Sequence, residues 1–184
     1  MRTSVKTVTV SSLLVASFFV TPAAFAADST ATATVTGGQL TASAENVVLG
    51  EVATSHTTET SPGVVTVGVN DERGTGEGWS VTQSVGDFSY TGDNAGDPIV
   101  AANFAVTSVG DITREAGVDG IETVTAGGAG TLDAERTVLS AAADGGEGSY
   151  SAPVNVALTV PEGSRAGTYA ATLTTTTAAA PAIN

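Results

Sequence analysis

Hydrophobic and polar residues alternate with a period of two along much of this chain. Valine alternates with threonine, glycine and asparagine over residues 65–70, and larger side chains alternate with serine and threonine over residues 79–84. A period of two is typical of β-strands that bury one face. The same valine- and threonine-rich composition predicts further strands at residues 30–36, part of 40–49, 104–108, 121–125, 137–141, 151–160 and 168–177.

Segments rich in glycine, proline and acidic residues separate the predicted strands and are typical of turns. Residues 132–143 alone have the composition of a helix, and their alanines and leucines fit an edge strand equally well. Many short strands joined by turns predict an all-β fold, an antiparallel β-sandwich of the immunoglobulin type. The predicted turns are residues 37–38, 61–63, 74–78, 92–98, 127–130, 144–148 and 161–163.

The N-terminus has the three parts of a secretory signal peptide. Arg2 and Lys6 precede an apolar stretch over residues 8–20, and the small residues at 24–26 form a cleavage site. This stretch is shorter than the roughly 20 apolar residues needed to cross a bilayer. We predict a signal peptide at 1–26, with a buried N-terminal helix as the alternative. The secreted, extracellular remainder is then one domain at 27–177 and a flexible tail at 178–184.

The predicted mature chain is strongly acidic. Without Arg2 and Lys6 it has four arginines and no lysine against 19 acidic residues, a formal charge of −15. Nucleic acids and anionic membranes repel such a polyanion, so neither is an expected partner. The absence of lysine excludes Schiff-base catalysis and lysine-linked polymerisation. Because cysteine is also absent, the exported fold relies on packing and hydrogen bonds rather than disulfides.

Candidate residues for catalysis are few. His56 is the single histidine, it lies in a polar segment, and no serine has the G-x-S-x-G pattern of a nucleophile elbow. A Ser-His-Asp triad is defined by geometry rather than by spacing, but a solvated loop histidine is the favoured interpretation. We therefore predict that the protein is not an enzyme.

Two acidic, glycine-rich turns carry oxygen ligands of the type that calcium binds. Asp93, Asn94 and Asp97 lie in one turn, and Asp144 and Glu147 lie in the other. Neither turn has the spacing of an EF-hand, and zinc lacks its usual ligands because there is no cysteine and a single histidine. We predict no cofactor, with structural Ca²⁺ as an open alternative.

Two segments stand out by their glycines and aromatic residues. Residues 71–81 read Asp-x-Arg-Gly-Thr-Gly-x-Gly-Trp-x-Val, and Tyr169 is followed four residues later by Leu-Thr. Together they resemble the WxL-domain family of Gram-positive cell-surface proteins, which has a glycine-rich turn before Trp-x-Leu and a C-terminal Tyr-x-x-x-Leu-Thr-Trp-x-Leu. Val81 stands at the first leucine position, and Thr175 and Thr177 stand where the second motif has tryptophan and leucine.

The resemblance implies a secreted single-domain protein that associates non-covalently with the cell wall, through peptidoglycan or a wall-linked partner. The expected partners are a cell-wall polymer or other surface proteins. It implies binding roles for Trp79, Val81, Tyr169 and Leu173. A competing hypothesis is a subunit of a surface fibre or biofilm matrix, in which residues 31–36 pair with an open strand edge of a neighbouring subunit.

The residues of the two motifs also have purely structural interpretations. The indole of Trp79 either fills the space between two sheets or stacks on a ligand. Tyr169 either anchors a loop through its hydroxyl group or contacts a ligand. Asp71 and Arg73 form either a solvated ion pair or a contact that orders the loop.

Overall fold

The computed structural model describes residues 29–180. The predicted signal peptide and residues 181–184 of the predicted tail lie outside the described residues. Residues 29–35 belong to a unit separate from the one that begins at Thr36, and every one of them is exposed and outside any strand. The strand predicted at residues 30–36 is therefore wrong. Its alternating alanine and threonine favour extended backbone but provide little apolar surface to bury, and Val35 is 95% exposed.

The second unit is built almost entirely from β-strands. Two single-turn 3-10 helices, Ala101–Asn103 and Ile121–Thr123, are the helical elements among the described residues. The strands are β1 Leu40–Ala44, β2 Glu59–Asp71, β3 Trp79–Val85, β4 Ser89–Thr91, β5 Phe104–Val109, β6 Thr113–Gly117, β7 Val124–Ala126, β8 Gly130–Thr131, β9 Arg136–Ala141, β10 Gly148–Val160, β11 Thr168–Ala170 and β12 Leu173–Ala179.

The strands form two main antiparallel sheets. The first has the order β1-β2-β10-β5-β8, with β6 also paired to β10, and the second has the order β12-β3-β9-β7. One hydrophobic cluster contains buried residues from both sheets, which confirms the predicted all-β sandwich. A separate two-stranded ribbon pairs β11 with β4. The largest fully buried side chains are Trp79, Tyr150, Phe104, Leu132 and Leu139.

The turn predicted at residues 61–63 lies inside β2, so that prediction is wrong. Pro62 is opposite Ala157 of β10, and its carbonyl oxygen accepts a hydrogen bond from the Gly50 N–H at 3.1 Å, on the other side of the strand. Because the nitrogen and the carbonyl of a strand residue point the same way, the missing N–H of Pro62 does not interrupt the pairing with β10.

Three further segments differ from the sequence-based predictions. Residues 132–143 contain β9, which is an inner strand between β3 and β7 rather than a helix or an edge strand. Residues 121–123 form a 3-10 turn before β7 begins at Val124. The last strand, β12, continues to Ala179, two residues beyond the predicted domain boundary at 177.

The sandwich has two ends, which are named by the motif residue that each contains. At the Trp79 end, Asp71 at the end of β2 pairs with Gly148 at the start of β10. At the Tyr169 end, Glu59 at the start of β2 pairs with Val160 at the end of β10.

No helix among residues 29–180 is long and apolar enough to cross a membrane.

Candidate functional site

An ion pair between Arg73 and Asp71 organises the glycine-rich turn at the Trp79 end. The Arg73 Nε and Nη2 atoms donate to the two Asp71 carboxylate oxygens at 2.9 and 2.8 Å. Nη2 also donates to the carbonyl oxygens of Glu77 at 2.7 Å and Gly78 at 3.2 Å. The Asp71 side chain is only 2% exposed. The loop-ordering interpretation is therefore confirmed and the solvated-pair interpretation is wrong, because the planar guanidinium binds the carboxylate in a two-pronged, buried contact.

The environment of Asp71 makes the fold sensitive to acid. Burial by itself raises the pKa of Asp71, but hydrogen bonds from the Arg73 side chain and backbone N–H outweigh it and hold the pKa below its usual 3.8. The folded state then binds fewer protons than the unfolded state. The contact therefore stabilises the fold at pH values above the pKa that Asp71 has in the unfolded chain. Its contribution is lost as the pH falls through the lower, folded pKa.

We therefore expect the free energy of unfolding to fall as the pH drops below about 4, and to fall less steeply in Asp71→Asn. Urea denaturation at a series of pH values, followed by circular dichroism, measures this difference. Asp93→Asn is the matched control, because Asp93 is exposed and should leave the slope unchanged. Parallel curves for wild type and Asp71→Asn would contradict the assignment.

Trp79 lies in the core rather than on the surface. Its side chain is 0% exposed, its ring centroid is 6.3 Å from that of Tyr150, and its Nε1 donates to the Gly146 carbonyl oxygen at 3.0 Å. The structure thus matches the core alternative for this indole. Val81, two residues further along the inward face of β3, is also fully buried.

Where the second family motif has tryptophan, Thr175 contacts a buried glutamine. Thr175 of β12 is opposite Gln83 of β3, and the Gln83 Nε2 donates to the Thr175 Oγ1 at 3.2 Å. Gln83 is 0% exposed, and within the described residues its Oε1 has no hydrogen-bond partner. The inward face of this edge is therefore polar where the family motif would place an indole.

Two tyrosines hold the loop at the Tyr169 end. Tyr169 of β11 is opposite Tyr90 of β4, with ring centroids 5.3 Å apart. The Tyr169 hydroxyl donates to the Arg165 carbonyl oxygen at 3.1 Å, and the Tyr90 hydroxyl donates to that of Ala166 at 2.9 Å. The anchoring role considered for Tyr169 is confirmed. Because both hydroxyls bond to adjacent carbonyls, they fix the path of residues 165–166.

A cavity of about 620 Å³ lies beside Tyr169. Its volume is within the range of about 300–1,000 Å³ that is typical of small-ligand sites. The cavity is formed by residues 49–61 on one side and residues 158–169 on the other, with Ile99 between them. Ile99 and Leu158 are almost fully buried, so they form an apolar floor.

The four residues with predicted binding roles do not meet at one surface. Trp79 is opposite Ala179, whereas Leu173 is opposite Val85 at the far end of the same strand pair, about 20 Å away. Trp79 and Val81 are buried, while Tyr169 and Leu173 are partly exposed. Of the four, Tyr169 lines the cavity. The binding roles themselves stay predictions.

Sequence reasoning missed Arg165, which also lines this cavity. The other three arginines of the described chain each donate side-chain hydrogen bonds: Arg73 to Asp71, Arg114 to the Asp119 carbonyl, and Arg136 to the Thr131 carbonyl. Arg165 is exposed, and its guanidinium has no such partner among the described residues. The available signal was the position of this arginine, four residues before the motif tyrosine.

The residues considered for catalysis and for metal binding are not brought together. His56 is exposed, and its imidazole has no hydrogen-bond partner among residues 29–180. In the same range, no three His, Cys, Asp or Glu side chains lie close enough to hold a metal ion. Glu147 instead serves the fold, because its N–H donates to Asp119 Oδ2 at 2.9 Å and its Oε1 accepts from the Gly76 N–H at 3.4 Å.

The fold defines an all-β sandwich domain with a buried tryptophan behind a glycine-rich turn. A family model described as WxL domain, surface cell wall-binding, matches residues 23–181, and the chain belongs to this family. No curated protein and no solved structure matches it. The protein is thus a member of a family of cell-wall-binding domains found at the cell surface.

Proposed function

We propose that this domain binds the bacterial cell wall non-covalently, through the cavity at the Tyr169 end. The observation that carries the proposal is the position of Tyr169, a residue of the C-terminal family motif, in the wall of a cavity of small-ligand size. The family is cell-wall-binding, and its motif tryptophan is buried in this chain. The partly exposed aromatic ring of Tyr169 is the motif side chain best placed to contact a ligand.

The charge of the protein limits how such binding can work. Acidic wall polymers repel the predicted mature chain, whose formal charge is −15, so general attraction of opposite charges does not explain docking. At the Trp79 end, Asp144 and Glu147 form hydrogen bonds with Gly76 of the glycine-rich turn, and Asp119 accepts one from the Glu147 N–H. Contact through apolar surface and hydrogen bonds, inside a cavity, is the favoured mode, and it predicts little dependence on moderate salt.

We expect Tyr169→Ala to reduce retention on isolated cell walls by about tenfold or more, because tyrosine is enriched among the residues that dominate binding energies. Tyr169→Phe keeps the ring but loses the hydroxyl bond to the Arg165 carbonyl oxygen, so its retention should lie between those of wild type and Tyr169→Ala. Co-sedimentation of the purified mature protein with walls measures retention, with and without moderate NaCl. Ile121→Ala, a change to a 49%-exposed side chain at the Trp79 end, is the matched control.

Three outcomes of this experiment would contradict the proposal. The first is no retention of the wild-type protein. The second is full retention of Tyr169→Ala, provided that its circular-dichroism spectrum matches wild type. The third is release of the wild-type protein by salt alone.

Self-assembly is a second candidate that one observation favours. Within the described residues, β12 pairs only with β3, and residues 166–184 contain no charged side chain. Natural edge strands usually carry charges or proline that prevent pairing with another chain. Size-exclusion chromatography and negative-stain microscopy distinguish the two candidates. Filaments that disappear when residues 27–37 are deleted would support self-assembly. A monomer that binds walls would support wall binding through the cavity.

A further inference from the structure

The backbone of Arg165 is fixed while its guanidinium group is free. Its carbonyl oxygen accepts a hydrogen bond from the Tyr169 hydroxyl, and that of the next residue accepts one from the Tyr90 hydroxyl. The side chain is exposed at the cavity and has no hydrogen-bond or ion-pair partner among the described residues. A guanidinium on an anchored loop loses less conformational entropy on binding than one on a mobile loop.

The other charges of the cavity limit the ligand to few negative charges. Glu51 and Glu59 are part of the same lining, and Glu59 accepts hydrogen bonds from the Ser55 and Thr57 hydroxyls at 3.1 and 3.2 Å. One guanidinium beside two carboxylic residues, on a strongly acidic protein, disfavours a polyphosphate. A single carboxylate matches the two-pronged donor geometry of arginine.

The rest of the cavity indicates the body of the ligand. The floor contains Ile99, Leu158 and Val160, whereas Thr54 and Thr168 add hydroxyl groups to the lining. Apolar floors bind methyl-sized groups, and hydroxyls bind the amide groups of a backbone. A short peptide with small apolar side chains and a free carboxyl end has both features.

We infer that this cavity binds the carboxyl end of a short peptide of the cell wall, with Arg165 pairing its terminal carboxylate. The inference rests on the proposed wall-binding function and names the ligand for the same site. It separates the peptide part of the wall from the glycan strands, which have a sugar backbone, and from phosphate-containing polymers, whose charges are phosphates.

The first test uses alanyl-alanine dipeptides as probes, with either a free or an amidated carboxyl end. The free-acid dipeptide should displace the mature protein from isolated walls and give binding shifts in an NMR titration. The amidated dipeptide should bind about tenfold more weakly or worse, because it lacks the charge that pairs with the guanidinium. Equal binding of the two probes, or no shift with either, would overturn the inference.

The second test uses Arg165 variants. Arg165→Ala should reduce affinity for the free-acid dipeptide by about tenfold or more, and Arg165→Lys should recover only part of it, because lysine lacks the planar fork. Arg114→Ala removes the same charge from an exposed arginine of β6 and should leave affinity unchanged. If Arg114→Ala weakens binding as much as Arg165→Ala, net charge explains the effect and the inference fails.

Treated walls separate failure of this inference from failure of the proposed function. Walls from which an amidase has removed the peptides should no longer retain the protein, and walls stripped of phosphate polymers by acid should still retain it. Retention on peptide-free walls would overturn the inference and leave wall binding intact. Loss of retention on phosphate-free walls would assign the site to the anionic polymers instead. No retention on untreated walls would overturn the proposed function.

Discussion

Replacing Trp79 with alanine should lower the free energy of unfolding by about 3–5 kcal/mol, the range measured when large aromatic side chains are removed from cores. The indole is 0% exposed, and it is the largest fully buried side chain of the described chain. Its removal leaves a void between the sheets and also leaves the Gly146 carbonyl oxygen without its indole donor. The mutant protein should therefore unfold at a markedly lower urea concentration than the wild-type protein.

Urea denaturation followed by circular dichroism measures this loss without relying on tryptophan fluorescence. Trp79→Phe is the graded control: it keeps most of the apolar volume but removes the Nε1 donor, so it should destabilise by an intermediate amount. In the wild-type protein, the single tryptophan should emit at short wavelength and resist quenching by iodide. A loss below about 1 kcal/mol in Trp79→Ala would be inconsistent with a core position.

The second large effect should come from Gly146→Ala, with a loss of about 2–5 kcal/mol. Gly146 has φ +79°, which is unfavourable for a residue with a side chain by about 1–2 kcal/mol. A Cβ atom at this position would also collide with the Ala141 side chain and would lie 2.7 Å from the Trp79 Nε1. Crowding of this type in a packed core adds about 1–3 kcal/mol.

The matched control is Gly163→Ala. Gly163 has φ +76°, and a Cβ atom there would have no atom within 4 Å. This variant should therefore show the backbone strain alone, about 1–2 kcal/mol. The difference between the two variants, obtained from the same urea denaturation curves, measures the crowding at the tryptophan. If the two alanine variants are equally stable, the close approach of Gly146 to Trp79 is not supported.

Sequence alone predicted most of the strands because their signal is local. The alternation at residues 79–84 corresponds directly to the inward and outward positions of β3. The prediction failed at residues 61–63, where a serine, a proline and a glycine suggested a turn. Proline is compatible with β2 at this point because the side of the strand that lacks a donor does not face β10, a fact that depends on which strand is the neighbour.

The candidate site was harder to predict because it is not local. The cavity joins residues 49–61 to residues 158–169, which are about 100 positions apart in the chain. The motif identified Tyr169. Arg165 is marked only by its position four residues before this tyrosine, and no pattern marked the segment opposite it. Whether Trp79 is buried also depends on a distant residue, because Gly146 both leaves space for the indole and accepts its hydrogen bond.

The contact between Gln83 and Thr175 links two positions of the second sheet. An indole at 175, as in the family motif, would remove the hydroxyl that accepts the Gln83 amide hydrogen bond and would place a large ring beside a desolvated amide. Positions 83 and 175 are therefore expected to covary among relatives, with an apolar residue at 83 wherever 175 is tryptophan. Installing the tryptophan of the family motif at position 175 would therefore require a double exchange, since either replacement alone leaves its counterpart mismatched.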